Sequence, residues 1–385
     1  MPQNCRWSRK KCLPCVERLG FCEGSVYLCY PMAKKDIRIL SFSELKEAVV
    51  GLGEKAFRAK QIEEWIWTKG VGSFDEMSNL SKGFRERLHA AFELNRIEVA
   101  DQQFSSDGTI KCAFDVRAGQ VVEGVLIPTS KRMTACISSQ AGCSLACKFC
   151  ATGRLKLLKN LSAGEIYDQV EMIRNMAQEQ YNQGLTNIVY MGMGEPLLNY
   201  RAVLESVERI CGDPGLGMSP KRITVSTAGI AKAIKRLGDD QVRFNLALSL
   251  HAANDEKRNR IMAINESNNL EALAEALQYF HEKTGTRVTF EYIIFRDFND
   301  QLEDAQQLAN FCACVPCKVN VIEYNPIDGG EFQQAAPERV DAFVGLLESR
   351  NIIVNVRRSR GKDIDAACGQ LANKNAAATP QLKKA

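Results

Sequence analysis

The sequence predicts an α/β protein, in which a small N-terminal helical accessory domain is followed by a partial (βα)6 barrel. From Val121 onward, short apolar runs alternate with helical patterns, as is typical of a parallel sheet with helices outside it. Counted from Thr134, six strand–helix units fit a partial barrel. Between Ser43 and Glu93 the pattern is helical, and glycines divide it into short helices.

The strand assignments rest on apolar or alternating runs bounded by turn residues. A capping box, Ser162 with Glu165, marks the start of the first barrel helix, whose apolar positions recur at helical spacing. Ligand sites in such sheets lie beyond the carboxyl ends of the strands, where the informative motifs of this chain also fall. The predicted strands are Val121–Ile127, Thr134–Ser138, Asn187–Met191, Arg222–Ser226, Arg243–Leu250, Arg287–Ile294, Lys318–Tyr324 and Ile352–Val356.

Four segments are expected along the chain. Residues 1–31 have no periodic pattern, and Met32 begins a stretch that resembles the start of a bacterial protein. We therefore expect residues 1–31 to be either a disordered leader or an upstream mis-start. Residues 35–98 form the helical domain, 99–371 the barrel domain, and 372–385 a tail too polar to pack.

Composition excludes several classes of protein. The chain has 385 residues, 45% of them hydrophobic and 25% charged, which is ordinary for a soluble globular protein. No apolar run approaches the roughly 18 residues of a membrane helix. A net charge of +4 is compatible with nucleic-acid binding but does not indicate it. We expect a cytoplasmic protein without membrane contact.

The most informative motif is a Cys-x3-Cys-x2-Cys run formed by Cys143, Cys147 and Cys150. Cysteine thiolates ligate iron–sulfur clusters, and three of them leave one iron of a cubane open to a substrate. Structural zinc normally takes four ligands, and no histidine precedes His251 except His89 in the helical domain. An open iron–sulfur cluster is favoured, while a zinc site and buried unliganded cysteines remain alternatives.

Several predicted strands end in residues suited to binding a small polar ligand. Gly194 and Glu195 end a Gly-rich bend, where a backbone can approach a ligand and a carboxylate can accept from an ammonium group. A plain turn is the ordinary explanation for such a bend, and a single histidine at a strand end is more often structural. The later candidates are Ser226, Ser249, Leu250, His251 and Asn325.

Other cysteines and a basic run have ordinary structural explanations when taken alone. Cys136 and Cys368 read as small buried hydrophobes, and Glu123 as an exposed strand carboxylate. The Cys312-Ala-Cys314-Val-Pro-Cys317 stretch reads as helix-end and core packing rather than a metal site. A solvated charge run is the usual explanation for Arg357, Arg358, Arg360 and Lys362.

Together, these motifs resemble a known family. The cysteine run, the segment Cys136–Cys143 before it and the segment Arg360–Leu371 are similar to those of the RlmN/Cfr group of radical S-adenosylmethionine (radical SAM) RNA adenine methyltransferases. The resemblance extends from about Ile39 to Leu371. It implies a radical SAM barrel and an accessory domain over 35–98 that helps to hold RNA, with Arg58, Lys60, Lys69, Arg85 and Arg87 as candidate contacts.

The resemblance also implies roles for individual residues. Cys143, Cys147 and Cys150 would hold one 4Fe-4S cluster. S-adenosyl-L-methionine would contact Gly194, Glu195, Ser226, Ser249, Leu250, His251 and Asn325. Cys368 would accept a methyl group from a first SAM and Cys136 would later release the RNA by forming a transient disulfide, while Glu123 would accept a proton. The basic run before Cys368 would contact phosphate.

The implied reaction is methylation of adenine C2 in 23S rRNA, and of the adenine next to the anticodon in tRNA. The implied partners are these RNAs and a reductase or flavodoxin-type electron donor, and the protein is expected to be a monomer. Two alternatives remain: C8 methylation of the kind that confers antibiotic resistance, and a non-catalytic RNA-binding protein with a structural metal.

Overall fold

The computed structural model of the protein describes residues 34–117 and 119–374. The predicted leader, residues 1–31, lies outside these described residues, as do residues 375–385 of the predicted tail. No helix within the described part combines the length and apolar character needed to span a membrane.

Helices and strands alternate along most of the described chain. The helices are α1 (Phe42–Gly51), α2 (Arg58–Glu63), α3 (Lys82–Ala91), α4 (Ala163–Tyr181), α5 (Tyr200–Cys211), α6 (Ala231–Asp239), α7 (Asp255–Ile261), α8 (Leu270–Thr284), α9 (Leu302–Cys312) and α10 (Pro337–Ser349). The strands are β1 (Lys35–Asp36), β2 (Phe92–Glu93), β3 (Glu98–Phe104), β4 (Ile110–Asp115), β5 (Val121–Pro128), β6 (Met133–Cys136), β7 (Gln140–Ala141), β8 (Lys159–Asn160), β9 (Asn187–Tyr190), β10 (Ile223–Thr227), β11 (Asn245–Ser249), β12 (Val288–Ile294), β13 (Cys317–Glu323) and β14 (Val354–Arg357).

The central sheet of the described chain has ten strands in the order β14-β13-β12-β11-β10-β9-β6-β5-β4-β3. Strands β6 and β9 to β14 are parallel to one another, whereas β3, β4 and β5 continue the sheet in antiparallel fashion beyond β6. Parallel strands joined in sequential order by right-handed crossovers place their crossover helices on one face. The sheet therefore has an outer face covered by α4, α5, α6, α8, α9 and α10 and an inner face that is free to enclose a cavity. The short helix α7 lies at the cavity end instead, where Arg258 contacts the ends of β10 and β11.

The predicted fold class is confirmed by this arrangement. All eight predicted strands are present, with ends that differ by one or two residues from those predicted. The Ser162 capping box also forms: its hydroxyl accepts from the Glu165 backbone N–H, and the Glu165 carboxylate accepts from the Ser162 N–H. The hairpin of β3 and β4 was not predicted.

The buried apolar residues of the N-terminal helices belong to the same continuous core as the barrel. The helical pattern over residues 55–69 predicts one apolar face formed by Phe57, Ile62, Trp65 and Ile66. Ile62 and Ile66 are buried, but Phe57 is 55% exposed, because it caps the start of α2 and does not lie within the helix. After α2 the chain widens into a π-helical turn over Glu64–Thr68. Of the candidate RNA contacts, Lys69, Arg85 and Arg87 form exposed ion pairs with carboxylates of the same helical region.

Buried charges join this helical region to the first barrel helix. The Arg38 guanidinium donates to the Asp168 carboxylate at 2.8 Å, and Arg96 lies 3.3 Å from the other oxygen of that carboxylate. The backbone N–H of Ile97 donates to Asp168 as well. Burial opposes the charge on Arg38, but the nearby Asp168 and Asp36 raise its pKa on balance.

Asp168→Ala is expected to lower the free energy of unfolding by roughly 3–5 kcal/mol, because it leaves a buried guanidinium without its main partner. Urea denaturation followed by circular dichroism measures this change. Arg236→Ala is a matched control, because Arg236 forms an exposed pair with Asp240 at 3.9 Å. That variant should change stability by less than about 1 kcal/mol. Equal effects from the two variants would contradict the role assigned to Asp168.

Candidate active site

A cavity of about 420 Å³ opens at the carboxyl ends of the parallel strands. This is the end at which ligand sites of parallel sheets occur. Ten of the thirteen residues predicted for the site line the cavity, and Glu123, Leu250 and Asn325 do not. The ten are Cys136, Cys143, Cys147, Cys150, Gly194, Glu195, Ser226, Ser249, His251 and Cys368.

The three-cysteine run lies in a loop between the short strands β7 and β8. Gly142 starts this loop with a φ of 77°, and a Cβ there would lie 2.0 Å from the Lys156 carbonyl oxygen. Gly153 closes the loop, and a Cβ there would lie 2.8 Å from the Cys147 carbonyl oxygen. Both glycines are therefore needed for the loop to fold tightly around its cysteines.

The three thiols lie near one another without converging on a single point. Their charges interact, yet within residues 34–117 and 119–374 no three His, Cys, Asp or Glu side chains are placed to hold one metal ion. A tetrahedral zinc ion would require sulfur atoms roughly 2.3 Å from it and thus about 4 Å apart. A cubane cluster spreads its thiolates over different irons. The described side chains therefore do not form a single-ion site of the zinc type.

Burial raises the pKa of all three thiols, that of Cys143 to about 11. Protonated thiols are poor metal ligands, and it is coordination to a metal that holds cysteines deprotonated in such surroundings. The three cysteines are partly exposed, and Cys147 and Cys150 pack against a small apolar cluster that includes Phe149 and Leu145.

The bend after β9 presents a carboxylate and bare backbone to the cavity. Gly194 has a φ of 94°, and a Cβ there would lie 2.4 Å from the Gln140 Cβ atom. Glu195 is buried, and its two carboxylate oxygens accept from the backbone N–H groups of Leu197 at 3.0 Å and Ala228 at 2.7 Å. Burial raises the pKa of Glu195, and these hydrogen bonds oppose that rise. Each carboxylate oxygen has a second lone pair for a ligand ammonium group.

The ends of β10 and β11 bring Ser226, Ser249 and His251 to the cavity. The two serine hydroxyl oxygens are 3.3 Å apart. Burial, together with the nearby charge of Arg258, lowers the pKa of His251 to about 3, so its ring is neutral. The Nδ1 atom accepts from the Ile293 backbone N–H at 3.1 Å, which leaves the proton on Nε2. His251 can therefore donate one hydrogen bond from Nε2.

Leu250 and Asn325 are buried beside the cavity rather than in its lining. The backbone N–H of Leu250 donates to the Glu291 carbonyl oxygen. The Asn325 amide nitrogen donates to the Cys368 carbonyl oxygen at 3.2 Å, and its amide oxygen has no hydrogen-bond partner in the described chain. A buried amide oxygen without a partner is costly, and a ligand donor reaching it would remove that cost.

Cys368 and Cys136 lie on the wall of the same cavity, and both are free thiols. Cys368 is exposed, whereas Cys136 is 8% exposed at the end of β6. Backbone and side-chain hydrogen bonds tie the Cys368 segment to the cluster loop: Ala151 N–H donates to the Gly369 carbonyl at 2.7 Å, and the Thr152 hydroxyl to the Leu371 carbonyl at 2.6 Å. A thiol carried on this segment is therefore held next to the cysteine loop.

An ion pair stands beside the two thiols. Arg357, at the end of β14, donates to the buried Glu291 carboxylate at 3.0 Å, and Asn320 holds the other Glu291 oxygen at 2.8 Å. Although the Cys368 side chain is open to the cavity, the surrounding cavity walls desolvate its thiol and raise its pKa to about 11, and the Arg357 guanidinium opposes that rise. The Arg357 guanidinium likewise opposes the rise that burial causes in the pKa of Cys136. It is the cation that favours thiolate at both positions.

Glu123, the proton acceptor implied by the family resemblance, is fully buried in β5 and outside the cavity lining, so the expectation of an exposed strand carboxylate is wrong. One carboxylate oxygen lies 3.5 Å from the buried Lys111 ammonium. The other accepts from the backbone N–H groups of Ala372 at 2.8 Å and Asn373 at 3.0 Å. The first residues of the predicted tail thus pack on Glu123, although the sequence suggested a tail too polar to pack.

The basic run before Cys368 is mostly paired within the chain. Arg357 contacts Glu291, Arg360 lies 3.6 Å from Asp107, and Lys362 lies 2.9 Å from Glu323. Among the described residues, Arg358 has no ion-pair partner, and it lines the cavity. Arg132, in the turn before β6, also lines the cavity and is likewise unpaired within the described chain. These two guanidinium groups are the cations most available for phosphate.

Sequence reasoning missed Arg258 and Glu291. Arg258 is fully buried, and its guanidinium donates to the carbonyl oxygens of Ala228 and Leu250 at the strand ends, at 2.5 and 3.1 Å. It fixes the backbone of the residues that line the cavity, and nothing in the charged α7 sequence sets it apart. Glu291 had a usable signal, since a carboxylate in the middle of an apolar strand implies a buried partner.

Two family models match the chain. The Ribosomal RNA large subunit methyltransferase N-terminal domain matches residues 36–94, and the Radical SAM superfamily matches residues 137–311. The first covers the N-terminal helices, and the second runs from the end of β6 into α9. The cysteine loop and the bend after β9 both fall inside the second match.

Named relatives cover nearly the whole described chain. A protein of Flavobacterium psychrophilum, "Probable dual-specificity RNA methyltransferase RlmN", is 55% identical over 89% of this chain and 98% of its own length. The "Dual-specificity RNA methyltransferase RlmN" of Anaeromyxobacter dehalogenans is 41% identical over 91% of this chain and 95% of its own. A crystal structure of a radical SAM methyltransferase from Sphaerobacter thermophilus superposes with a TM-score of 0.83, at 38% identity, over 88% of this chain and 99% of that one.

Proposed function

The chain belongs to the RlmN family of radical SAM RNA methyltransferases, and we propose that it methylates adenine C2 in two RNAs. The first is 23S rRNA, at the peptidyl transferase centre, and the second is tRNA, at the adenine next to the anticodon. The relatives named as dual-specificity enzymes support two RNA substrates. The main structural support for this proposal is that two free thiols, Cys136 and Cys368, line the same cavity as the three-cysteine loop.

Members of this family use a 4Fe-4S cluster and S-adenosyl-L-methionine, and Cys143, Cys147 and Cys150 are the residues that would hold the cluster. When bound, the cluster and SAM supply a radical able to remove a hydrogen from an unactivated carbon, chemistry that belongs to the cofactor. Glu195, Ser226, Ser249 and His251 would orient SAM from the strand ends.

The chain's own contribution is a pair of thiols with separate tasks. Cys368 accepts a methyl group through its thiolate, because a thiolate is the nucleophilic form of cysteine. After the carbon has been joined to adenine, the Cys136 thiolate attacks the Cys368 sulfur and an S–S bond forms. The bond between sulfur and the adenine-bound carbon breaks, and its electron pair stays on that carbon, which takes up a proton and leaves with the RNA. A dithiol reductant must then reduce the Cys136–Cys368 disulfide before the next turnover. The exposure of Cys368 and the burial of Cys136 support this division, since the first must reach RNA and the second only Cys368.

Glu123 is proposed as the proton acceptor, and its surroundings set a condition on that role. Ala372 and Asn373 occupy one of its oxygens and Lys111 faces the other. The C-terminal segment must therefore move away before Glu123 can reach a substrate. Since the same segment carries Cys368 four residues earlier, one movement would expose the carboxylate and reposition the thiol.

The remaining expectations concern partners and surroundings. We infer a reductase or flavodoxin-type electron donor, a monomeric enzyme and a cytoplasmic location. The absence of a membrane-spanning helix from the described residues is compatible with that location. The Cys136–Cys368 disulfide is proposed as a transient species, which agrees with two free thiols in the resting structure.

Product analysis tests the proposed function. Unmodified rRNA and tRNA are incubated with reduced, cluster-loaded protein and SAM, and the digested RNA is analysed by mass spectrometry. We expect 2-methyladenosine from both RNAs. A predominance of 8-methyladenosine would assign the enzyme to the C8-methylating branch, and an absence of 5′-deoxyadenosine would indicate a non-catalytic RNA-binding protein.

Arg357→Met is expected to slow methyl transfer from SAM to Cys368 about tenfold, because removing the adjacent cation raises the pKa of Cys368 by about one unit. The measurement is incorporation of labelled methyl into protein, without RNA, between pH 7 and 9. Since Cys368 has a pKa of about 11, its thiolate fraction rises as pH rises. The rate of methyl incorporation should therefore rise about tenfold per pH unit in both proteins, and the variant should be slower than the unaltered protein at every pH.

Arg358→Met is the matched control for that experiment, since Arg358 lines the cavity but contacts no carboxylate of the described chain. Arg357→Met also leaves the buried Glu291 carboxylate without its partner. In the double variant Arg357→Met, Glu291→Gln that carboxylate is absent, so any remaining effect on the rate comes from loss of the cation. A rate that does not depend on pH, or that falls equally in Arg358→Met, would contradict thiolate activation by Arg357.

Cys136→Ala is expected to trap a covalent complex between the protein and RNA, because the thiol that releases Cys368 is missing. A denaturing gel with labelled RNA should show a band of reduced mobility that protease removes. Turnover should stop after about one methyl group per chain, since each Cys368 is used once. Normal turnover without such a band would refute the two-thiol mechanism.

A further inference from the structure

A second group of thiols lies at the opposite end of the barrel from the cavity. Cys312 is the last residue of α9 and Cys317 is the first residue of β13, with Cys314 in the turn between them. Ile322, near the other end of β13, lines the cavity, whereas none of these three cysteines does. Five residues of strand separate Cys317 from Ile322 by about 17 Å. This group is distinct from Cys136 and Cys368.

The side chains of Cys312 and Cys317 are in direct contact. The Cys317 thiol donates to the Cys312 carbonyl oxygen at 3.6 Å, and the two thiols are close enough to influence each other's pKa. Cys312 is 8% exposed, while Cys314 and Cys317 are partly exposed. These cysteines are not part of any group of three ligating side chains in the described chain that could hold a metal ion. The geometry is that of a dithiol with one accessible and one buried sulfur.

The pKa of Cys317, the more accessible of the two thiols, is shifted in the opposite direction to that of the other described cysteines. The adjacent Cys312 thiol lowers the pKa of Cys317, and the Arg287 guanidinium lowers it further, although burial opposes both. The same interaction, together with burial, raises the pKa of Cys312. Every other described cysteine has a raised pKa, including Cys211 and Cys314. Cys317 is therefore the described thiol best suited to react as a thiolate near neutral pH.

We propose that Cys312 and Cys317 form a reversible dithiol–disulfide site that reacts with low-molecular-weight disulfides. The Cys317 thiolate attacks one sulfur of the small disulfide, forms a mixed disulfide and releases one thiolate. Cys312 then gives up its proton and attacks the Cys317 sulfur, which closes the protein disulfide and releases the second thiolate. Two protein thiols are thus oxidised while one small disulfide is reduced to two thiols, so that atoms and electrons balance.

The Cys312–Cys317 site does not depend on the proposed methyltransferase activity. Its place at the amino end of β13 separates it from the catalytic thiols, so oxidation here would consume neither Cys136 nor Cys368. The accessible sulfur attacks and the buried one resolves, a division that matches their exposures. The site would make the end of α9 and the start of β13 respond to the thiol–disulfide balance around the protein.

The test uses anaerobic, cluster-loaded protein and glutathione disulfide, without SAM or RNA, so that turnover does not affect the result. After timed exposure, free thiols are alkylated and the digested peptides are examined by mass spectrometry. In the unaltered protein we expect a Cys312–Cys317 bridge, formed on the order of tenfold faster than glutathione addition at the half-buried Cys211. Cys314→Ser should bridge at the same rate.

Two variants divide the reaction into its steps. Cys312→Ser should accumulate a mixed disulfide of glutathione at Cys317, whereas Cys317→Ser should leave Cys312 unmodified. The proposal is overturned if bridging is lost in Cys314→Ser, or if Cys317 reacts no faster than Cys211. Because the readout is a peptide mass, a failure of the methylation assay leaves this result unaffected.

Discussion

Cys147→Ser should reduce 5′-deoxyadenosine formation from SAM by roughly 10³-fold or more, because the substitution removes one of three thiolates that act as a unit. Cys147 lies in the middle of the cysteine loop, between Cys143 and Cys150, and its charge interacts with both. With two thiolates left, an iron–sulfur cluster loses its attachment at one corner. The measurements are bound iron after anaerobic reconstitution and product release by chromatography.

Cys211→Ser is the matched control, since Cys211 is partly buried at the end of α5 and does not line the cavity. It should retain both iron and 5′-deoxyadenosine formation. If Cys147→Ser kept a full complement of iron and cleaved SAM normally, the loop would not be the cluster site. If Cys211→Ser lost iron to the same extent, the loss would reflect the protein's general sensitivity to cysteine substitution.

Cys368→Ala should abolish RNA methylation, with a loss of roughly 10³-fold or more, while iron binding and SAM cleavage persist. The reason is that Cys368 carries the methyl group but holds neither the cluster nor SAM. Its side chain is on the C-terminal segment, and only backbone atoms of Gly369 and the Thr152–Leu371 hydrogen bond tie that segment to the cysteine loop. Methylated nucleosides and 5′-deoxyadenosine are measured in the same reactions.

Cys314→Ala serves as the control for Cys368→Ala, because it also removes a partly exposed thiol, far from the cavity. It should methylate RNA at the rate of the unaltered protein. Methylation by Cys368→Ala would exclude a methyl carrier at this position. Loss of SAM cleavage together with methylation would instead show that the variant had damaged the cluster site.

Most of the barrel could be predicted because its parallel strands are continuous apolar runs. Strand β12, for example, is buried along its whole length and reads as apolar except at Glu291 and Thr289. Strand β3 could not be predicted, since it lies at the edge of the sheet with Val99 and Phe104 exposed. Its sequence is mostly polar and carries a bulge, so neither alternation nor hydrophobicity marks it.

The site was predictable where motifs are local and not where contacts are distant in sequence. The cysteine loop and the bend at Gly194 are short segments whose glycines and ligands are neighbours in the chain. The enclosure of Glu123 depends on Ala372 and Asn373, about 250 residues later, and no local pattern records such a contact. The pairing of Arg357 with Glu291 likewise depends on the register of the intervening strands.

The basic run shows how structure changes an interpretation based on composition. Four cations close to Cys368 suggested phosphate binding, but three of them contact carboxylates of the chain itself. Arg357 is thereby reassigned from RNA contact to thiol activation. Arg358 and Arg132, which both line the cavity, take its place as candidate phosphate contacts.

The central claim is that Cys143, Cys147 and Cys150 hold a cubane with one iron left open for SAM. Anaerobic reconstitution followed by iron and sulfide analysis, with electron paramagnetic resonance of the reduced protein before and after SAM is added, tests it most directly. We expect about four irons per chain and an electron paramagnetic resonance spectrum that changes when SAM is added. Zinc bound at this loop, or a reduced cluster whose spectrum is insensitive to SAM, would contradict it.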